Sequence, residues 1–538
     1  MTIDPNIPPL QEHEPMMSTT AASRPHHSPL VRSTRKLLGS AVALVLLAGC
    51  TVTPEPFNQA ERAAQVKTDL AVLYVNQDPV NGPVTLEEAI ARALKYNLDR
   101  RVAVMEQAVQ LRQFDLSRFD LLPSVVTEAG YHVRSKEQLS TSRDVAGNLT
   151  DPDSASTSLE KRRFVGELGM SWSILDFGVS YYQAKQHADL SLIAAERERR
   201  AVHVIVQEVR AAYWRAAAAQ RLEGVIKPVL IEARSALDDS HTVERERLRP
   251  LLETLRYQRS LVAAVRQLAA IEAELAISKA ELARLMNLAP GTAYRLSLPE
   301  AMNAPEIALS LPEMETLALE QRPELREAAY QTRITALETR KALLKMFPNL
   351  NFYGSLNYDS NDYLVHQDWA QAGAQVSWNL LNLASASRGK QLRDAQVELT
   401  NMRRLAMSMA VLTQVHVSHQ QFLRAREQYQ QAAQVSSIEQ RIFGTVQTGA
   451  QGEAHSVLDR IQTGAAAAAA EFQRDLAYAE LQNAYAAVHV SLGFDPLPEH
   501  APAQDLQTLS QALRERLIQG PGAPAVVVPA GAEAGAAN

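Results

Sequence analysis

A single cysteine, Cys50, stands among 538 residues. It directly follows Leu47-Ala48-Gly49. Ahead of it run an apolar stretch, Ala41 to Leu47, and a basic patch, Arg32, Arg35 and Lys36. Basic, apolar and small-residue segments in that order make an export signal. The residues around Cys50 resemble a lipobox. Its chemistry is transfer of a diacylglycerol to the cysteine sulfur, cleavage ahead of the cysteine, and acylation of the new amino terminus, commonly with palmitate. One acyl chain holds a protein reversibly, whereas two or more anchor it stably. Residues 1–49 then read as leader and lipoprotein signal peptide, with Met16 or Met17 as alternative starts. The competing reading of Cys50 is a buried free thiol. The apolar stretch is too short to span a bilayer, which takes about 20 residues. Thr51 stands where an aspartate would accompany retention in the inner membrane, so it points to the outer one.

The other chemistry-bearing residues converge on nothing. His416 and His419 lie three apart at helical spacing, yet no Cys, Asp or Glu nearby in sequence completes a metal site. No Gly-rich phosphate loop or nucleophile elbow occurs. Asp115, Arg118 and Asp120 read as solvated helix charges. The expectation is no enzyme, no metal and no cofactor beyond the lipid on Cys50. A formal charge of -6 and a pI near 6.2 disfavour a nucleic-acid partner. Without a cysteine pair there is no disulfide framework. Past Leu47 no run of about 20 apolar residues follows. Aromatics make up only 6% while alanine is abundant, a balance suited to long, closely packed helices.

The elements that would position such a chain are written twice. At a shift of 225 residues Leu86, Ala93, Leu94 and Pro123 fall on Leu311, Ala318, Leu319 and Pro348. At a shift of 206 Ser171-Trp172, Val209, Leu252 and Pro290 fall on Ser377-Trp378, Val415, Leu458 and Pro496. The difference sits in one place, where residues 136–162 project onto 361–368, as a surface loop of variable length would. Each repeat reads as a helix (86–120 or 312–346), two short segments of period two, then two long helical stretches. Acidic Glu87 and Glu88 favour the first helix start, and Pro123 or Pro348 marks the end.

Four segments alternate, at about 123–135, 163–175, 348–358 and 370–381. Val125, Thr127, Ala129, Tyr131 and Val133 oppose Ser124, Glu128, His132 and Arg134. Phe164, Leu168, Met170, Trp172 and Ile174 oppose Glu167, Ser171 and Ser173. Leu350, Phe352, Leu356 and Tyr358 oppose Asn349, Asn351, Ser355 and Asn357. Ala372, Ala374, Val376, Trp378 and Leu380 oppose Gln371, Gln375, Ser377 and Asn379. Roughly 11 residues is what a tilted strand needs to cross a bilayer, and apolar-out, polar-in is the pattern of a barrel with a wet lumen. Trp172 and Trp378 then serve as interfacial aromatics. An ordinary antiparallel sheet packed on helices fits the same pattern. Four strands cannot close a barrel, so strands in lipid would require a homo-oligomer, eight strands from two copies or twelve from three.

Residues 179–239 and 386–447 each read as one helix of about 60 residues, about 90 Å long. Val202, Val206, Val209, Tyr213, Ala216 and Gln220 step as a coiled coil does. Pro228 predicts a kink or break in the first long helix.

Order and doubling together resemble the TolC-like outer membrane efflux proteins. The stretches LEEAIARAL (Leu86–Leu94), LALEQRPEL (Leu317–Leu325), WSILDFG (Trp172–Gly178) and WNLLNL (Trp378–Leu383) carry the likeness, and the lipobox matches the lipoprotein (OprM-like) branch. The resemblance covers about 85–496. It implies a mainly helical fold with membrane β-structure: a homotrimeric 12-stranded β-barrel in the outer membrane of a Gram-negative bacterium, joined to a long periplasmic α-helical barrel. The implied role is a passive exit duct for small molecules or polypeptides in a tripartite efflux or type I secretion system. Its partners are a periplasmic adaptor protein and an inner-membrane transporter. The alternative is a periplasmic coiled-coil lipoprotein without a pore. The domain reading is 1–49 signal, 50–84 N-terminal segment, 85–290 first repeat, 291–309 linker, 310–496 second repeat, and 497–538 a C-terminal segment ending in disorder. Segments 51–84 and 289–310 lack periodicity and would wrap the middle of the tunnel. The resemblance places the adaptor-facing turns near 240–252 and 447–458. Candidates for gate or adaptor contact are Gly449, Gln451, Gly452, Glu453 and Asp459, with Glu453 the only acid between Gly444 and Leu458. The first turn departs from the family, with Glu244, Arg245, Glu246, Arg247 and Arg249 replacing glycines.

Overall fold

A computed structural model describes residues 54–143, 145–149, 151, 153, 155–299, 301–450, 457–497 and 505–520. It divides into a unit ending at Leu73 and a unit from Tyr74 onward. In the first, α1 (Gln59–Val72) starts at a capping box: Glu61 N donates to Asn58 Oδ1 and Asn58 N to the Glu61 carboxylate, both at 2.9 Å. Every residue of this helix is exposed. Segment 51–84 is therefore not wholly irregular. Its helix was hidden by a largely polar composition with no apolar stripe.

In the second unit, α2 (Leu86–Tyr96) and α3 (Leu98–Ser117) precede β1 (Ser124–Val133) and β2 (Arg162–Ser173). Then come α4 (Ile174–Arg245) and α5 (Leu251–Leu285). The order recurs as α6 (Leu311–Gln321), α7 (Pro323–Leu344), β3 (Asn349–Asp359), β4 (Asp368–Ser377), α8 (Leu381–Ala450) and α9 (Val457–Leu492), with α10 (Leu506–Gln519) last. The paired starts Leu86/Leu311, Leu98/Pro323 and Ser124/Asn349 are each 225 apart; Arg162/Asp368 and Leu251/Val457 are each 206 apart. Asn287 (φ 56°) and Gly493 (φ 73°), also 206 apart, end α5 and α9 in the left-handed region. Beside them Leu288 N donates to Ala283 O and Phe494 N to His489 O, at 2.8 and 3.0 Å. This is the same helix-ending device at both places.

Three readings of the sequence gain detail. Residues 86–120 are two helices, because Asn97 has extended backbone (ψ 130°) and its side chain accepts from Asp99 N and Arg100 N. It ends α2 and caps α3. The matching break falls at Arg322, ahead of Pro323, whose ring disfavours a helical predecessor. Helix α4 runs 72 residues, about 108 Å, and continues through Pro228 without a break. Pro228 is exposed, and Gly224, the residue it crowds, has open space about it. The C-terminal segment carries helix α10, capped by Asp505 accepting from Thr508 N at 3.0 Å. Residues 521–538 lie outside the described residues.

Four long helical columns form a wall in the order α3 and α5, α4, α7 and α9, α8. The heptad from Val202 to Ala216 is buried within the chain against Ile90, Leu94, Leu282, Met286 and Leu513. A second cluster joins Leu222, Leu261 and Leu268 to Ile461 and Phe472; a third joins Met314 to Val415, Phe422, Leu481 and Val488. Segment 74–84 is tied down by the buried Arg92, which donates to Asp78 O and Pro79 O at 2.8 and 2.9 Å. Segment 289–310 lies on α4, where the Tyr213 hydroxyl donates to Ser297 O and the Gln220 amide bonds both backbone groups of Leu296. No described helix is long and apolar enough to cross a membrane.

Candidate functional site: an open sheet and the edges of its wall

The sheet has four antiparallel strands in the order β1-β2-β3-β4. Its register sorts the residues into two faces. On one, Val125 pairs Met170, Thr127 pairs Leu168, Leu168 pairs Leu356, Trp172 pairs Phe352, and Leu350 pairs Val376. On the other, Ser124 pairs Ser171, Ser173 pairs Asn351, Asn351 pairs Gln375, and Ser355 pairs Gln371. Glu128 stands directly opposite Glu167. Facing like charges destabilise a sheet, and water makes the pair tolerable.

Exposure separates the two faces. The apolar side chains lie open, with Val125 64%, Leu168 48%, Leu356 60% and Val376 67% exposed. On the two inner strands the polar side is the more sheltered: Ser355 and Asp359 are buried, and Arg163, Glu167, Asn351 and Asn357 are half-buried, whereas on β1 and β4 both sides are exposed. A sheet packed on helices would bury the apolar side instead, and that reading fails here.

Equivalent points of the two halves are offset along the strands. Ser124 is level with Tyr353 through Ser171, four residues beyond its counterpart Asn349. Trp172 is level with Ala374 through Phe352, four residues short of its counterpart Trp378. A constant stagger of this kind is the shear a tilted, closed barrel requires.

Both lateral edges are unfinished. β1 and β4, ten residues each, have a neighbour on one side only. The flanking helices are open on the same sides. On α3 the exposed Leu98, Val102, Met105, Val109 and Leu116 step by 4, 3, 4 and 7. On α8 the exposed Leu392, Leu399, Met402 and Met409 step by 7, 3 and 7, and Val435, Ile438 and Ile442 by 3 and 4. These are coiled-coil seams with nothing described against them. The sequence reading missed them because it followed the more regular heptad inside α4.

No protein-family model matches the sequence, and no curated protein does. Solved structures do match. The Campylobacter jejuni CmeC outer membrane channel matches with a TM-score of 0.61 at 12% identity, over 86% of this chain and 97% of that one. The outer-membrane channel OprN matches with 0.58 at 18% identity, over 76% and 89%. The open-state Neisseria gonorrhoeae MtrE outer membrane channel matches with 0.57 at 15%, over 76% and 88%.

The chain has the TolC-like channel fold. The structures that share it here are outer-membrane channels, not enzymes.

Within the channel fold the predicted site residues are scattered. Trp172 is in β2, 40% exposed, with Phe177 edge-on at 5.8 Å. Trp378 follows β4 by one residue, and its indole N–H donates to Met346 O at 3.0 Å. Gly449 belongs to the last turn of α8, and Asp459 lies exposed in the first turn of α9, where an acid suits the helix dipole. Cys50, Gln451, Gly452 and Glu453 lie outside the described residues. The other turn near 240–252 spans Glu246 to Pro250, with Arg247 at φ 55° and Leu248, Leu251 and Leu252 exposed. His416 Nε2 sits 2.6 Å from Glu315 Oε1, and no group of three potential metal ligands occurs among the described residues.

Proposed function

We propose that this protein is a passive outer-membrane exit duct. Three copies place a twelve-stranded barrel in the membrane and continue it as a helical tunnel into the periplasm. The observation that carries the reading is the uncovered apolar face of an open four-stranded sheet whose polar residues are sheltered on its two inner strands. In lipid each unpaired backbone group on β1 and β4 would cost several kcal/mol, so β1 of one copy must meet β4 of the next. The seams on α3 and α8 lie on those same two sides, which makes the contact head-to-tail and the assembly a ring. Two copies would give eight strands, whose interior is just filled by side chains; a duct needs the third. The two halves of each chain act as an internal duplication, each supplying two strands and two helical columns.

Lipid on Cys50 tethers each copy to the membrane. The turns near 240–252 and 447–458 face a periplasmic adaptor that links the duct to an inner-membrane transporter, the source of energy for export. No cofactor is needed for a conduit. A coiled-coil lipoprotein without a pore gives no reason for an uncovered apolar sheet. The test is conductance in planar bilayers after purification in detergent, with stable open-channel steps expected. A protein that inserts as a heat-modifiable oligomer but never conducts would overturn the reading.

A further inference from the structure

Between α4 and α9 lies a partly open cavity of about 20 Å³ lined by His203, Gln207, Arg210, His489, Phe494 and Pro496. Its polar groups are mismatched. His203 and His489 are 3% and 6% exposed, and the Nε2 of each is buried without a hydrogen-bond partner. An unmade bond at such a nitrogen costs about 1–3 kcal/mol. Arg210 has only a neutral acceptor, the amide oxygen of Gln482, at 3.2 Å from Nε and 2.9 Å from Nη2. Its guanidinium also lies over the Tyr485 ring, 5.1 Å from the centroid. Among the described residues no carboxylate comes within ion-pair distance of it. Asp495 and Glu196 pair with Arg199, and Glu324 with Arg322; Glu87, the one acid whose charge reaches Arg210, makes no ion pair with it. A shielded cation without a counter-charge is costly.

We propose that this cavity binds one chloride ion, held by the Arg210 guanidinium and by N–H groups from the Nε2 atoms of His203 and His489. A water molecule would satisfy hydrogen bonds but leave Arg210 with only the distant charge of Glu87; a monovalent anion in direct contact answers both. The room suits one small sphere and excludes sulfate, phosphate or a carboxylate. Asp495, the acid acting most on His203, pairs with Arg199, its carboxylate 3.0 Å from Nε, and shares that guanidinium with Glu196. The ion would clamp α4 of the first half to α9 of the second. It concerns the helical wall alone and stands whether or not the barrel conducts.

The test uses the full-length protein in detergent. Thermal unfolding is followed while gluconate is replaced by chloride at constant ionic strength, and crystals are grown in bromide. The expected result is a saturable rise in midpoint of about 2 °C with chloride. An anomalous bromide peak should lie between Arg210 and the two imidazoles, and His489→Phe should abolish the chloride response. An ordered water in bromide-grown crystals overturns the proposal, as does an unshifted midpoint. A bromide peak with no chloride dependence marks an adventitious ion only and counts equally against it. The bromide experiment needs no variant, so misfolding of His489→Phe does not blunt the test.

Discussion

Placing an arginine on the outer face of the sheet tests what that face touches. Leu168 sits at mid-strand in β2, 48% exposed, and pairs Thr127 on one side and Leu356 on the other. If this face meets lipid, Leu168→Arg puts a guanidinium near the bilayer midplane at a cost of about 2–4 kcal/mol per copy. Three copies per ring bring this to about 6–12 kcal/mol, comparable to the whole stability of many domains. Gln371→Arg is the matched control: it pairs Ser355 on the polar face, where the new charge meets water. Val376→Arg, one residue from the end of β4, should fall between them at about 0–1 kcal/mol per copy. The assay is urea-induced unfolding of the oligomer in lipid vesicles, read by heat-modifiable gel migration. The predicted order of loss is Leu168→Arg, then Val376→Arg, then Gln371→Arg. If Leu168→Arg and Gln371→Arg unfold at the same urea concentration, the outer face does not meet lipid.

Other perturbations probe the helical wall. Burial holds the imidazoles of His203 and His489 neutral, lowering them to about 4 and about 3; Asp495 and Glu324 partly offset the shift at His203, whereas Arg199 and Arg322 add to it, and Arg210 adds to that at His489. The unfolded chain takes up these protons first, so their contribution is complete above pH 6.5 and is lost as pH falls toward 4, by roughly 3 kcal/mol each. In chloride-free buffer the unfolding midpoint should drop between pH 7 and 4, and His489→Phe should flatten the drop; an unchanged slope would rule out this cause. Gly493→Ala should cost about 1–3 kcal/mol, since the added Cβ would lie 2.8 Å from the Gln321 carbonyl carbon at a φ of 73°. Gly147→Ala, at φ 91° but with open space around it, should cost only about 1 kcal/mol in the same urea titration. Asp475→Ala should cost about 3–5 kcal/mol, because Asp475 is 2% exposed and its loss strands the guanidinium of Arg221 and leaves Arg474 with Glu471 alone. A loss under 1 kcal/mol would mean that water reaches those arginines.

What could be read without a structure depended on how local its physical cause is. The strands were legible because alternation is enforced residue by residue: Leu168 and Met170 face out while Glu167 and Ser171 face in, and a slip of one position would invert both faces. The stagger of Ser124 against Asn349 was not, since it exists only once β1, β2 and β3 are paired. The break at Asn97 was masked by apolar spacing that continues from Leu94 through Leu98 to Val102; the available signal was an asparagine with Asp99 two residues on, in the pattern of a helix cap. Helix α1 carried its own signal in Asn58 and Glu61, outweighed by the absence of an apolar stripe. Pro228 announces its cost in the sequence, but not that it is exposed and four residues after Gly224, where α4 continues without a break. The edge seams were present in the spacing of Val102, Met105 and Val109, but spacing cannot say which stripe stays inside the chain and which leaves it. The cavity between His203 and His489 joins residues from opposite halves, and no reading along the chain brings them together.

The central claim is that each chain supplies one third of a closed wall. It is tested most directly by disulfide cross-linking between β1 and β4. Pairs such as Ala129→Cys with Val376→Cys, and Tyr131→Cys with Ala374→Cys, are scanned in a Cys50→Ser background, which leaves no other cysteine. Each pair is oxidised in membranes and resolved on a denaturing gel. The account predicts bonds between chains only, in a ladder of one, two and three subunits that stops at three. A ladder that stops at two, or pairs that oxidise only within a single chain, would contradict it.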